Sequence, residues 1–129
     1  RARDWFRPRR FAEFPNPHLR TNGFMAAREV LLQLRVPPIR NKDDAHRFES
    51  GVHGFTAQLK GLGLRSLLVG ADGKAYEPAE WPESRTFRLG DQDNLLMADN
   101  QTRTYLAADA DTRRKLSNLA WGARAPSTK

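Results

Sequence analysis

The sequence contains no cysteine, which excludes a disulfide framework, a catalytic thiolate and cysteine-bound zinc. It also contains no uninterrupted apolar run of about 18 residues, which is near the minimum for a membrane-spanning helix. Hydrophobic residues make up 39% of the 129 residues, below the usual share for a globular domain. We therefore expect a small hydrophobic core with long extensions and no membrane span.

Positive charge, in contrast, is abundant and unevenly placed. The formal net charge is +7. Residues 1–65 contain 13 Lys and Arg against 6 Asp and Glu, whereas residues 66–129 contain 9 of each. Folding gains nothing from this segregation, so it favours a first half that faces a polyanion. The alternative is a basic protein kept soluble by its charge, although solubility does not require the charge to be segregated.

Residues 1–23 have the composition of an extended basic arm. Five arginines fall within the first ten positions, and aromatic residues lie between them. Three prolines within residues 8–17 disfavour both a helix and a central strand. Arginine forks match phosphate oxygens, and aromatic rings stack on unpaired bases. We therefore favour an arm that docks on RNA or protein, with a disordered, charge-rich terminus as the alternative.

A strand and a rigid turn are predicted from Val30 onwards. Apolar and polar side chains alternate from Val30 to Val36, the period of a half-buried strand. Pro37 and Pro38 should end this strand, because neither can donate a hydrogen bond to a sheet.

A capped helix should follow the turn. Asn41 is a favoured N-cap, and Asp43 and Asp44 lie in the first turn, where the helix dipole favours carboxylates. Apolar residues then recur at helical spacing as far as residue 55. We expect Phe48 and Val52 to be buried between this helix and the strand.

The remaining elements are short, and together they predict an α+β fold with a small antiparallel sheet and helices packed on one face. A final helix should run from Asp109 to Trp121 and end at Gly122. We expect three parts: an extended basic arm (1–23), a single domain (24–122) and a flexible tail (123–129). The further predicted strands are Thr56–Val69, an Asp72-Gly73 hairpin turn into Ala75–Tyr76, Arg85–Leu89, and a pair formed by Leu95–Ala98 and Thr102–Ala107.

Patterns that would indicate catalysis or metal binding are weak. His46, Glu49 and His53 share one side of the predicted helix, but their spacing differs from that of zinc-binding helices and no fourth ligand suggests itself. Gly61 and Gly63 are not followed by the Lys and Ser or Thr of a phosphate loop. No serine lies in a nucleophile elbow. We therefore expect no enzyme, metal, cofactor or small-molecule substrate.

Two runs of sequence carry a resemblance to a known family. LRVPP followed by NKDDAHRFESGVHGF resembles the strand, turn and helix of large-subunit ribosomal proteins of the L twenty-three type, above all their mitochondrial branch. FPNPHLRTNGF, at residues 14–24, resembles the lead-in to the first strand of the mitochondrial members. The resemblance covers roughly residues 11–70. It implies an α+β fold of the kind predicted above.

The resemblance also implies a function. It implies a structural component of the mitochondrial large ribosomal subunit, in the matrix, that binds rRNA near the polypeptide exit beside a protein of the L twenty-nine type. Its basic residues would neutralise phosphates without reading bases. An accessory subunit of a mitochondrial inner-membrane complex and a free-standing small RNA-binding protein are the alternatives. The predicted RNA contacts are Arg1, Arg3, Trp5, Phe6, Arg7, Arg9, Arg10, Arg20, Arg35, Arg40, Lys42, Arg47, Lys60 and Arg65.

Overall fold

A computed structural model of the chain describes residues 9–123. The chain divides into two compact units, the N-terminal unit (Arg1–Leu64) and the C-terminal unit (Arg65–Lys129). This division falls inside the range 24–122, for which one domain was predicted. Helices and a small antiparallel sheet are both present, which confirms the predicted α+β class. None of the helices within residues 9–123 has the length and apolar character that crossing a membrane would require.

The predicted capped helix of the N-terminal unit is confirmed at its start. The Asn41 side chain accepts a hydrogen bond from the backbone N–H of Asp44 at 2.9 Å, the usual N-cap arrangement. The helix ends at Ser50, earlier than expected, and Gly51 continues in extended backbone that bridges to Phe11. Within residues 9–64 the helices are α1 (Arg28–Leu31), α2 (Lys42–Ser50) and α3 (Phe55–Gly61).

The core of the N-terminal unit is centred on α3. Phe55 and Leu59 are 2% and 6% exposed, respectively. The Phe55 ring lies 5.0 Å from the Phe24 ring and 5.8 Å from the Phe48 ring, measured between centroids. The predicted burial is only partly correct, because Phe48 is half-buried and Val52 is 36% exposed. Val52 lies beyond the end of α2 and therefore does not share its apolar face.

The strand predicted at Val30–Val36 is wrong. Residues 28–31 form α1, and the N–H groups of the next three residues turn back onto carbonyls of this segment. At Arg35 the backbone pairs with a side chain instead of a strand: the Gln58 amide accepts the Arg35 N–H at 2.8 Å and donates to the Arg35 carbonyl at 3.0 Å. The LRVPP run, which carries part of the family resemblance, is therefore not a strand in this chain.

The sheet lies in the C-terminal unit and has two strands. β1 (Leu68–Val69) and β2 (Ala75–Tyr76) pair antiparallel, with Leu68 opposite Tyr76 and Val69 opposite Ala75. The predicted Asp72-Gly73 turn is confirmed, and Gly73 takes the left-handed conformation (φ 75°) that such turns favour. The strand predicted at Thr56–Val69 is wrong over most of its length, because α3 occupies residues 55–61.

The strand pair predicted at Leu95–Ala98 and Thr102–Ala107 is also wrong, because residues 95–98 form no strand and residues 102–107 lie in a helix. The Thr102 N–H donates to the Asp99 carboxylate at 2.9 Å, and the Asp99 N–H donates to the Thr102 hydroxyl at 2.8 Å. This reciprocal cap starts a helix. The final helix and its end before Gly122 are confirmed. The helical elements are a 3₁₀ helix (Pro78–Ser84), α4 (Asn100–Ala107) and α5 (Ala110–Trp121).

Residues 85–92 form a tight irregular segment and not the strand predicted at Arg85–Leu89. Arg85, Arg88 and Gln92 have φ values of 58°, 51° and 49°, the left-handed region, which ends any regular extension. Gln92, 4% exposed, holds the segment together. Its amide donates to the Thr102 carbonyl at 3.0 Å and accepts the Arg88 N–H at 2.8 Å.

Asn94 joins the hairpin to this irregular segment. Its amide donates to the Ser84 carbonyl at 2.9 Å and to the Tyr76 hydroxyl at 3.3 Å. Its side-chain carbonyl accepts the Asp72 N–H at 2.9 Å. The apolar part of the same core contains Trp81, Leu89 and Tyr105.

Candidate nucleic-acid interface

Six basic side chains of the N-terminal unit are exposed and make no ion pair with any described residue. We call them the unpaired cations. The described part of this unit, residues 9–64, holds nine Lys and Arg against five Asp and Glu, a net charge of +4. Exposed cations without internal partners are the groups that phosphate contacts require. The unpaired cations are Arg10, Arg28, Arg35, Arg40, Lys42 and Lys60.

Local hydrogen bonds around α2 explain why two of these cations stay unpaired. The two carboxylates of the first turn are already engaged within the chain. Asp44 accepts the backbone N–H of Arg40 at 3.1 Å, and Asp43 forms an ion pair with Arg47. The side chains of Arg40 and Lys42 therefore reach solvent on either side of the N-cap.

The backbone of Arg35 is held in place by a side chain of α3. The Gln58 amide holds its backbone on both the N–H and the carbonyl side and leaves the guanidinium exposed. Gln58 also donates to the His53 carbonyl at 3.1 Å, which connects the segment to the start of α3. The position of Arg35 is therefore fixed by the fold, while its charge remains available.

Several predicted contact residues already have partners inside the chain. Arg9 pairs with Glu13, and Arg47 pairs with Asp43 while its Nε is buried without a hydrogen-bond partner. Arg20 is half-buried and interacts within the chain. Arg65 belongs to the C-terminal unit, where it binds Glu77 at 2.5 Å. Arg1, Arg3, Trp5, Phe6 and Arg7 lie outside the described residues.

Histidine and aromatic rings cluster beside α2. The Phe11 ring lies 4.8 Å from the His46 ring, and the His18 ring lies 6.4 Å from it. Glu49, considered with His46 as a metal ligand, accepts the backbone N–H of Thr21 at 2.9 Å and also its hydroxyl. Within the described part of the chain, no group of three His, Asp or Glu side chains is arranged to hold a metal ion.

Half of the eight described basic residues of the C-terminal unit form ion pairs within it. Arg85 binds Asp93 at 2.8 Å, Arg113 binds Asp91 at 3.0 Å, and Arg114 binds Asp111 at 2.7 Å. Over residues 65–123 there are eight Lys and Arg against nine Asp and Glu, a net charge of −1. This unit therefore offers a polyanion little attraction.

An open depression of about 510 Å³ also lies in the C-terminal unit, lined in part by Asp72, Tyr76 and Asn94. The backbone N–H of Lys74 and the Tyr76 hydroxyl both donate to Asp72 and hold the pKa of its carboxyl below the ordinary value. The same hydrogen bond to Asp72 raises the pKa of Tyr76. These polar groups satisfy one another, and we assign them to the stability of the hairpin.

The comparisons with known proteins gave no match to a family model, a curated protein or a solved structure. The candidate interface therefore rests on the chain's own geometry. The predicted RNA contacts did not include Arg28, which precedes the strand predicted from Val30. Sequence reasoning also overlooked Gln58, whose partner is 23 residues away and leaves no local signal.

Proposed function

We propose that this protein is an RNA-binding structural component of a ribonucleoprotein particle. The observation that carries the proposal is the set of unpaired cations on a unit whose described residues have a net charge of +4. Each phosphate contact made by such a cation releases condensed counterions, which favours binding. Backbone contacts of this kind position a protein on RNA without reading its sequence.

The resemblance to the L twenty-three type makes the mitochondrial large ribosomal subunit the specific particle we propose. There the protein would bind rRNA near the polypeptide exit, beside a protein of the L twenty-nine type. Support for this finer assignment is the NKDDAHRFESGVHGF run, in which the Asn41 N-cap and α2 form, whereas the LRVPP run of the same resemblance is not a strand. Sedimentation with and without RNase tests it: the protein should move with large subunits, and RNase should abolish this comigration.

RNA binding itself is tested with two matched triple variants of the full chain. The first, Arg10→Gln/Lys42→Gln/Lys60→Gln, removes three unpaired cations. The second, Arg103→Gln/Arg114→Gln/Lys115→Gln, removes the same charge from exposed positions of the C-terminal unit. Affinity for an rRNA fragment is measured by fluorescence anisotropy over a series of salt concentrations.

We expect the first variant to lower the log–log salt slope by about two to three units, because each phosphate contact contributes roughly 0.7–0.9. The second variant should change the slope by less than about one unit. Equal effects would show that net charge alone drives binding. No change in either variant would refute RNA binding by these cations.

A further inference from the structure

The segment from Phe24 to Ile39 exposes more large apolar side chains than a free surface explains. No residue of α1, which lies within this segment, is buried, and Met25 is 99% exposed. Six such side chains lie within residues 24–39, and exposed apolar side chains that cluster mark interaction surfaces in soluble proteins. The exposed large apolar residues are Phe24, Met25, Leu31, Leu32, Val36 and Ile39.

The backbone of this segment is nonetheless held in place from within the unit. Gln58 grips Arg35 with two hydrogen bonds, and Phe24 lies against Phe55 of the core. These anchors hold the chain without burying the side chains of Leu32 and Val36, which are 67% and 62% exposed. A surface that is fixed before binding saves the entropy of ordering it on association.

Charge indicates what kind of partner fits. Arg28, Arg35 and Arg40 are unpaired cations in or next to the segment, and Glu29 is the only acidic residue between positions 24 and 40. Phosphates would satisfy the arginines but would leave the aliphatic side chains in water. An amphipathic protein segment with apolar residues flanked by carboxylates satisfies both.

We propose that residues 24–40, the apolar–basic segment, dock an acidic amphipathic segment of a protein partner. This surface goes beyond RNA binding: it assigns Arg28, Arg35 and Arg40 to the protein partner, whereas the other three unpaired cations, Arg10, Lys42 and Lys60, lie outside it and remain for RNA. Two synthetic helical peptides provide the probe: both carry the same leucine stripe, and one is flanked by glutamates and the other by lysines. Binding of each peptide to the full chain is measured by fluorescence anisotropy.

The glutamate peptide should bind saturably and the lysine peptide should not. Leu32→Ser/Val36→Ser should weaken binding of the glutamate peptide by about tenfold or more, because two apolar contacts are lost. The control, Leu96→Ser/Leu119→Ser, changes two C-terminal leucines that are each 68% exposed and should leave binding unchanged. Circular dichroism confirms that both variants remain folded.

Absence of peptide binding, equal binding of both peptides, or equal weakening by both variants would overturn the proposal. If Leu32→Ser/Val36→Ser instead weakened binding of the rRNA fragment and spared the peptide, RNA would be the occupant of this surface. The Arg10→Gln/Lys42→Gln/Lys60→Gln variant keeps the test independent: it should lose RNA affinity and retain the glutamate peptide.

Discussion

In the C-terminal unit four arginines bind neighbouring carboxylates, whereas in the N-terminal unit six basic side chains reach solvent without an ion pair to any described residue. An exposed ion pair contributes little stability, but it does occupy the charge that a phosphate would otherwise meet. The two units therefore have similar numbers of cations but differ in how many of these cations remain free to bind a partner. Our proposals therefore assign the binding of RNA and of a protein partner to the N-terminal unit.

The two units also differ in what holds them together. Phe55 and Leu59 dominate a small apolar core in the N-terminal unit. The C-terminal unit relies on polar side chains that bind backbone, chiefly the buried Gln92 and the half-buried Asn94. An apolar core holds elements together without consuming charged or polar side chains. In a polar core, side chains that bind main-chain atoms hold an irregular backbone in place, as over residues 85–92.

The largest expected effect concerns the apolar core. Phe55→Ala should lower the free energy of unfolding of the N-terminal unit by about 3–5 kcal/mol, because it removes a fully buried aromatic side chain. Hydrogen exchange should show the loss of protection in α2 and α3, while α4 and α5 keep theirs. Phe14→Ala, at a position 60% exposed, is the control. Parallel loss in both units would mean that they unfold together, and the comparison would fail.

A smaller effect is expected in the polar core. Asn94→Ala removes the partner of the Asp72 N–H, the Ser84 carbonyl and the Tyr76 hydroxyl. We expect a loss of about 1–2 kcal/mol in the free energy of unfolding, because part-buried groups lose their hydrogen-bond partner. Chemical denaturation followed by Trp fluorescence measures it.

Asn100→Ala provides the matched control for this measurement. Asn100 is exposed, and its side chain makes no described contact. This variant should stay within about 0.5 kcal/mol of the parent protein. If Asn94→Ala changed the free energy of unfolding as little as Asn100→Ala does, the C-terminal unit would not depend on its polar core.

The smallest expected effect is a pH dependence. The pKa of the Asp72 carboxyl lies below its ordinary value of 3.8, chiefly because the Lys74 N–H donates to it. Its ionised form therefore stabilises the folded state at neutral pH, and this stabilisation is lost as the pH falls below 3.8 through the lowered value. Asp72→Asn should flatten the decline in melting temperature over this acid range. An unchanged acid profile would show that the hairpin does not use this charge.

The elements that sequence reasoning predicted correctly are those with local signals. Asn41 marks the start of α2, Asp72-Gly73 marks the hairpin, and Asp109 caps the final helix. Each signal acts within a few residues, so a single sequence contains all of it. The charge asymmetry that defined the candidate interface is likewise visible in the sequence alone.

The elements that were predicted incorrectly depend on distant partners or on a misread period. Apolar alternation from Val30 predicted a strand, but no described residues form a partner strand for it. The Gln58 side chain binds the Arg35 backbone instead. Phe55 was assigned to the preceding helix and Leu59 to a strand, although the two residues stand four apart, a helical spacing, and both lie in α3. Asp99 and Thr102 have capping-box spacing, and this signal was overlooked. The left-handed Arg85 had no sequence signal.

The two hydrogen bonds between the Gln58 amide and the Arg35 backbone have an evolutionary consequence. The amide contacts only main-chain atoms of residue 35, so the fold places no demand on which side chain that residue carries. Descendants of this chain can therefore exchange residue 35 for any residue except proline, which has no N–H to donate, provided that Gln58 is retained. Selection on Arg35 and its neighbours would then come from outside the molecule. Among related chains, residue 35 would then vary together with the partner, while Gln58 would stay constant.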